Sequence, residues 1–403
     1  MKFAIETLGC KVNQYDSELI REGLIRSGHT EQSFHKSLAH LYIINTCTVT
    51  HRADAESRKL IRRALRQCPD ARIVATGCQA VTDPFALKDI SDRVEVVASA
   101  RIGEVLDIGI QTKITSFYGH SRAFVKVQQG CNMFCTYCIV PYARGKPISR
   151  PQEEIIEEIK VLHDHGYNEV VLTGINIGLY RGGIGDLVKK ILMYTRIPRI
   201  RISSVEPWTV NSTLLDIMAY EPRVCKHIHL PLQSGCGRIL RAMGRPYDKA
   251  YYSDLIKSIR SMSKNIAIGT DIMVGFPSED EDAFEETFEF VKDLDITYIH
   301  TFPYSKRPGT KAAGLKPHID TAIKRERVSR LRAISREKRT EFALSQIGCK
   351  RDILVLNTDA KDSVGMTSNY LKMRLPGHQN IGHIVEASIE DMTDGILSGH
   401  VNG

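Results

Sequence analysis

Apolar and polar positions divide the chain into three stretches of different rhythm. In the first 113 residues, short unbroken apolar runs at Phe3–Thr7, Leu41–Asn45 and Arg72–Thr76 alternate with helix-period segments. Runs of this kind are expected of parallel strands buried on both faces, so this stretch reads as an open α/β domain. Residues 117–340 repeat the alternation six times. The predicted strands are Phe124–Gln128, Glu169–Thr173, Arg199–Ser203, His227–Leu230, Ala267–Val274 and Tyr298–Phe302. Between the first two lies P-Q-E-E-I-I-E-E-I-K-V-L-H-D-H-G, with proline and acids at the helix start and Gly166 at its stop. Six strand–helix units without a return strand predict an incomplete (β/α)6 barrel, whose ligands should sit at the carboxyl ends of the strands. Lys324–Arg339 is a basic helical run with Val328, Leu331 and Ile334 near helical spacing. Residues 341–403 then change to strand-like segments at Ile353–Leu356, Tyr370–Leu375 and Ile384–Ile389. That pattern fits a small antiparallel β-barrel of the oligonucleotide-binding type.

Composition narrows the class. The 403 residues are 42% hydrophobic, enough for real cores. The opening M-K-F-A-I-E-T-L-G-C is too short an apolar run for a signal peptide, and no stretch of about 18 apolar residues predicts a membrane span. Ten cysteines without an export signal are expected in the reducing cytoplasm, free for metal or buried as small hydrophobes. The net charge of +8 permits nucleic-acid binding without proving it. It is unevenly spread: residues 341–403 hold eight acidic and five basic residues, so bulk attraction to RNA is expected from the barrel, the basic run Lys324–Arg339 and the Arg58–Arg66 helix instead.

Three cysteines carry the chemistry. Cys131, Cys135 and Cys138 stand in G-C-N-M-F-C-T-Y-C, directly after the first barrel strand. One loop can then offer three thiolates to three corners of a [4Fe–4S] cluster, leaving the fourth iron open to a small chelating ligand. A structural zinc site would need a fourth ligand that this loop lacks. A second trio is spread out: Cys10, Cys47 and Cys78 each follow one of the first three strands. Ligands gather beyond strand carboxyl ends in open α/β sheets, so these thiols are expected to converge on a second [4Fe–4S] cluster. The competing reading is three unrelated buried cysteines.

The metal loop, continuing I-V-P-Y-A-R-G, resembles that of the radical S-adenosylmethionine enzymes. With T-L-G-C-K-V-N-Q-Y-D-S-E, H-L-P-L-Q-S-G, D-I-M-V-G-F-P and P-Y-S-K-R-P-G-T, the chain resembles the methylthiotransferases of that class over nearly its whole length. The resemblance implies two [4Fe–4S] clusters, S-adenosylmethionine, and a C-terminal RNA-binding module of the TRAM type. It also implies that a second S-adenosylmethionine methylates sulfur on the N-terminal cluster, and that a substrate radical takes the methylthio group. Within the family, T-L-G-C-K-V-N-Q and N-Y-L-K-M-R-L are similar to the MtaB branch, which methylthiolates threonylcarbamoyladenosine beside the tRNA anticodon. The MiaB branch, acting on isopentenyladenosine, reads G-C-Q-M-N at the first cysteine, and the RimO branch, acting on a ribosomal-protein aspartate, reads G-C-P-K-N. Lys11 and Val12 therefore point to MtaB. MiaB-type and RimO-type activity, and an iron–sulfur RNA-binding protein without turnover, stay open. So do the tRNA set and the identities of the electron and sulfur donors. V-V-A-S-A-R departs from the Gly-Asn usual after that strand and leaves the domain junction open.

Cofactor contacts follow from the resemblance and from side-chain chemistry. Tyr137 is expected against the adenine of the cofactor, with loop packing as its plainer role. Gly174 and Asn176, in L-T-G-I-N-I-G, are expected at its methionine end. Ser204, Glu206 and Gln233 follow the third and fourth barrel strands and can hydrogen-bond a ribose or amino-acid group, or only loop backbone. Arg144 is a phosphate or cofactor contact, or a surface ion pair. Arg58, Arg62 and Arg66 share one helix face after Cys47 and could meet RNA phosphates, although charge runs are often merely solvated. On the C-terminal barrel, Tyr370, Lys372 and Arg374 are the expected RNA contacts.

Overall fold

The computed structural model describes residues 1–402. Its first sheet is wholly parallel. It is built from β1 (Lys2–Thr7), β2 (Thr30–Glu31), β3 (Leu41–Thr46), β4 (Arg72–Gly77) and β5 (Val94–Val96), in the order β2-β1-β3-β4-β5. Successive side chains on a strand face opposite sides, and both sides are covered. Ala4, Tyr42, Ile44 and Ile73 pack with Leu60 and Ile61 of the helix His51–Gln67. Phe3, Ile5, Ile43 and Val74 pack with Ile20 and Leu24 of the helix Lys11–Arg26. Two-sided burial is why these strands read as unbroken apolar runs.

The second body is a half-barrel. β6 (Ala123–Gln129), β8 (Glu169–Gly174) and β9 (Arg199–Ile202) run parallel, as do β10 (His227–His229), β11 (Ala267–Val274) and β12 (Tyr298–Pro303). A parallel bridge from Ile200 to Val224 joins the two triplets. The sequence does not mark β7 (Ile148–Ser149), a two-residue antiparallel strip on the free edge of β6.

The helix Thr321–Leu344 closes the half-barrel beside β12, burying Val328, Leu331 and Ile334. Its basic residues are not a uniform RNA surface, which corrects the expectation from composition. Arg327 is buried against Glu279 at 2.9 Å, Arg330 pairs with Glu285, and Lys338 donates to the carbonyls of Lys292 and Leu294. A cation taken from water needs such partners, so these three belong to the barrel rather than to RNA.

The last body is a closed five-stranded barrel: β13 (Lys350–Thr358), β14 (Asp362–Thr367), β15 (Lys372–Pro376), β16 (Ile384–Thr393) and β17 (Ile396–Val401). β14 and β17 are absent from the sequence reading because their small and polar residues hide the alternation. The three bodies are tied by buried polar contacts. Glu158 accepts from Tyr15 at 2.6 Å and from Arg150 at 2.7 Å. Arg307 of P-Y-S-K-R-P-G-T reaches Asp54 at 2.5 Å. Arg201 of β9 donates to the carbonyls of Thr367 and Ser368 in the C-terminal barrel.

Candidate active site

Cys131, Cys135 and Cys138 lie in one loop beyond the carboxyl end of β6. Gly130 enters the loop with φ +77°, and Phe134 inside it has φ +47°. An L-residue with a side chain seldom adopts that conformation; here it keeps the loop tight. The amide of Cys131 donates to Gly145 at 2.9 Å, and that of Thr136 to Met243 at 3.0 Å, so both ends of the loop are pinned. Burial pushes the Cys131 thiol up and the Cys138 thiol up to about 12. Thiols in such surroundings ionise with metal ligation, which removes the proton outright. Arg245 faces this loop. It donates to Cys135 Sγ at 3.5 Å, is held by Glu206, and lies 4.8 Å from the Trp208 ring centroid. The sequence reading missed Arg245, which has no motif of its own.

Cys10, Cys47 and Cys78 gather at neighbouring strand ends, near enough to act on one another's charge. Cys10 caps the helix Lys11–Arg26, Cys47 follows β3, and Cys78 opens a short helix after β4. Gly9, with φ +95°, lies so close that a Cβ there would come 2.8 Å from Cys47 Sγ. Asn13 ties the turns together, donating to Leu8 O at 2.7 Å and Thr46 O at 2.9 Å. Burial raises the Cys47 and Cys78 thiols, and charge on the neighbouring cysteines would raise each further. Arg144, six residues after Cys138, reaches from the barrel to the N-terminal trio. Its guanidinium donates to Cys78 Sγ at 3.2 Å and to Asp16 at 2.7 Å.

The other expected contacts divide. Asn176 approaches Cys131 Sγ at 4.0 Å, and its Oδ1 is buried without a partner. Gln233 is buried with φ +74°, and its Oε1 is likewise unpartnered. Unpaired buried acceptors are costly, and both suit a ligand that supplies donors. Gly174 lets β8 lie against β6: a Cβ there would meet Gln128 O at 2.8 Å. Tyr137 packs beside the apolar cluster of Met243, Phe276 and Tyr304. Glu206 pairs with Arg245, and burial raises its pKa. Ser204 turns away from these residues into a separate cavity.

That cavity, of about 220 Å³, lies between all three bodies. Lys11, Arg122, Arg201, Ser204, His229 and Tyr370 line it. Tyr370 is placed differently from Lys372 and Arg374. It precedes β15 rather than starting it, has φ +69°, and turns its ring inward to stack on His227 with centroids 4.3 Å apart. It is a wall of this cavity rather than an outward-facing ring. His229, Asp271 and His300 bring potential metal-ligating atoms within 4.8 Å of one another. The Asp271 carboxylate already faces both imidazoles, at 3.0 and 3.5 Å.

Residues 125–291 match the radical SAM superfamily, and residues 2–99 match uncharacterized protein family UPF0004. A threonylcarbamoyladenosine tRNA methylthiotransferase MtaB of Aquifex aeolicus (strain VF5) is 37% identical, over 96% of this chain and 100% of that one. The chain belongs to the radical SAM methylthiotransferase family. A tRNA-2-methylthio-N(6)-dimethylallyladenosine synthase of Staphylococcus epidermidis is similar at 31% identity, over 98% of this chain and 84% of that protein. Among solved structures, the radical S-adenosylmethionine methyltransferase TsrM from Kitasatospora setae shares the fold, with TM-score 0.57 and 16% identity over 77% of each chain.

On this methylthiotransferase, the expected RNA contacts fall on two surfaces. Arg62 and Arg66 are exposed on the helix His51–Gln67, and Arg58 is half-buried on the same face. Lys372 and Arg374 alternate with buried Met373 and Leu375 on β15 and point outward. No helix among the described residues is long and apolar enough to cross a membrane.

Proposed function

We propose that this methylthiotransferase converts N6-threonylcarbamoyladenosine, beside the tRNA anticodon, to its 2-methylthio derivative in the cytoplasm. The observation that carries this reading is the pair of cysteine trios, one in the loop after β6 and one at three neighbouring strand ends, with Arg144 from the segment after Cys138 donating to Cys78. Similarity at 37% to a protein named for that substrate supports the specificity.

The donor sets fit two iron–sulfur clusters. Each offers three thiols and no fourth cysteine, which leaves one iron of each cubane without a protein ligand. Cys131, Cys135 and Cys138 would hold the cluster that binds S-adenosylmethionine, and Cys10, Cys47 and Cys78 the second. Held there with S-adenosylmethionine, the first cluster would supply the radical chemistry that an unactivated aromatic C–H requires and that no ordinary side chain provides.

The protein's own groups position and enclose. Arg245 sets a positive charge beside Cys135, anchored by Glu206 and flanked by Trp208 and Tyr247. Arg144 does the same at Cys78, anchored by Asp16. Asn176 and Gln233 offer acceptor oxygens to the donors of a bound cofactor. The stem-loop of tRNA is the macromolecular partner, and electrons and sulfur come from external donors.

The test is anaerobic reconstitution with tRNA bearing threonylcarbamoyladenosine, followed by mass spectrometry of nucleosides. The expected product is heavier by one methylthio group in place of hydrogen. 5′-Deoxyadenosine with no modified nucleoside would redirect the search to a protein substrate, and neither product would mark a binding protein without turnover.

A further inference from the structure

We propose that Lys11, together with Arg122, is the carboxylate-recognition element that selects the threonylcarbamoyl side chain of the substrate, and that the three-domain cavity is its pocket. This rests on the functional reading above and extends it to particular residues.

Four observations converge on the cavity. Lys11 follows Cys10 directly, so its side chain starts beside the N-terminal trio, yet it lines a cavity walled by the barrel and the C-terminal domain. Its ammonium makes no hydrogen bond or ion pair among the described residues. The Phe124 ring centroid lies 5.9 Å from it, and Arg122 and Arg201 are near enough to repel it. The charge around it is unbalanced. Arg122, Arg199 and Arg201 all share the single carboxylate of Glu169, and Asp271 is engaged by His229 and His300. Of the arginines, Arg201 is buried and satisfied by Glu169 and backbone carbonyls, whereas Arg122 is held only by one contact to Glu169 at 3.4 Å and one to Met366 Sδ.

A cavity with surplus positive charge and an unpaired ammonium calls for an anion. The same surplus disfavours a metal cation at His229, Asp271 and His300. At about 220 Å³ the space is smaller than the usual pocket for a whole ligand and suits a side chain.

The chemistry of the two substrates completes the case. A threonylcarbamoyl group ends in a carboxylate and a hydroxyl, whereas a dimethylallyl group is a five-carbon hydrocarbon. The cations would have no partner against the second, and a site built to pair a polar group disfavours a substrate that lacks it.

The experiment uses the full, cluster-loaded chain and anticodon stem-loops bearing threonylcarbamoyladenosine, its carboxamide analogue, dimethylallyladenosine or plain adenosine. Binding and methylthiolation are both measured. Wild type should bind the carboxylate stem-loop roughly 10- to 100-fold more tightly than the carboxamide, the range expected for a charge-assisted hydrogen bond. Lys11→Gln should lose most of that preference at unchanged iron content, with the loss in KM rather than kcat. Lys11→Arg should restore it, and Arg122→Gln should weaken it in part. A Lys11→Gln protein that keeps the full carboxylate preference overturns the assignment, as does a wild type that binds carboxylate and carboxamide equally. A wild type that methylthiolates only the dimethylallyl stem-loop overturns the functional reading itself, and this inference with it.

Discussion

Arg144 Nε lies 3.2 Å from the sulfur of Cys78, although Arg144 belongs to the loop of the other cysteine trio. One guanidinium from the segment after Cys138 therefore reaches the other candidate cluster site, with Asp16 fixing it from the N-terminal helix at 2.7 Å. A lysine would keep the charge but not the fork that serves Cys78, Asp16 and Asn13 together. Arg144→Lys should lower methylthio product by roughly tenfold or more, the range for a lost charge-assisted hydrogen bond. It should leave 5′-deoxyadenosine formation close to wild type. Equal losses in both assays would place Arg144 on the cofactor side instead.

The two trios should separate in metal content and in chemistry. Replacing Cys131, Cys135 and Cys138 together by alanine should remove one cubane of about four irons and abolish cofactor cleavage. Replacing Cys10, Cys47 and Cys78 should remove the same amount but spare cleavage and stop methylthio transfer. Iron analysis with circular dichroism as a folding control checks both. 5′-Deoxyadenosine from the first variant, or normal product from the second, would contradict the assignment.

The contrast between these residues shows what the chain reveals before folding. The C-x3-C-x2-C loop is local, so spacing alone exposes it. Cys10, Cys47 and Cys78 are separated by whole strand–helix units, but their shared position at strand ends points to one place. Arg245 and the cavity are not legible in this way. Arg245 meets Cys135 only through the packing of a distant loop, and Lys11, Arg122 and Tyr370 come from three different bodies. Tyr370 looks like a strand residue with an outward ring, and only its positive φ turns it onto His227. The basic helix misleads in the opposite way, because its partners Glu279, Glu281 and Glu285 lie about 45 residues upstream.

Glu169 should make the seam between barrel and C-terminal domain sensitive to acid. It is fully buried, which by itself would raise its pKa, but Arg201 and Arg199 outweigh burial and bring it to about 2. A folded pKa below the unfolded value contributes stability that is present above about pH 4.5 and lost as pH falls toward 2. The contribution is about 3 kcal/mol. Glu169→Gln should destabilise the protein by that order at neutral pH and flatten the fall in stability between pH 4.5 and 2. Denaturant melts across that range measure both effects. An unchanged slope would mean that the arginines find other partners.

Long-range attraction to tRNA should come from the helix after Cys47 rather than from the acidic C-terminal domain. Arg62 and Arg66 are exposed and form no ion pair among the described residues, whereas Arg327, Arg330 and Lys338 are tied into the barrel. Each phosphate contact releases counterions and adds nearly one unit to the slope of log affinity against log salt. Arg62→Glu with Arg66→Glu should therefore weaken binding and reduce that slope by up to about two. Lys372→Glu with Arg374→Glu, on the outward face of β15, provides the matching test of the small barrel. Tyr370→Ala should behave differently from both: its ring packs on His227 beside the cavity, so it should disturb modification of the threonylcarbamoyl substrate more than the salt slope. Titrations of labelled stem-loop at several salt concentrations separate the three variants. An unchanged slope in the Arg62 and Arg66 double variant would move the phosphate-contacting surface elsewhere.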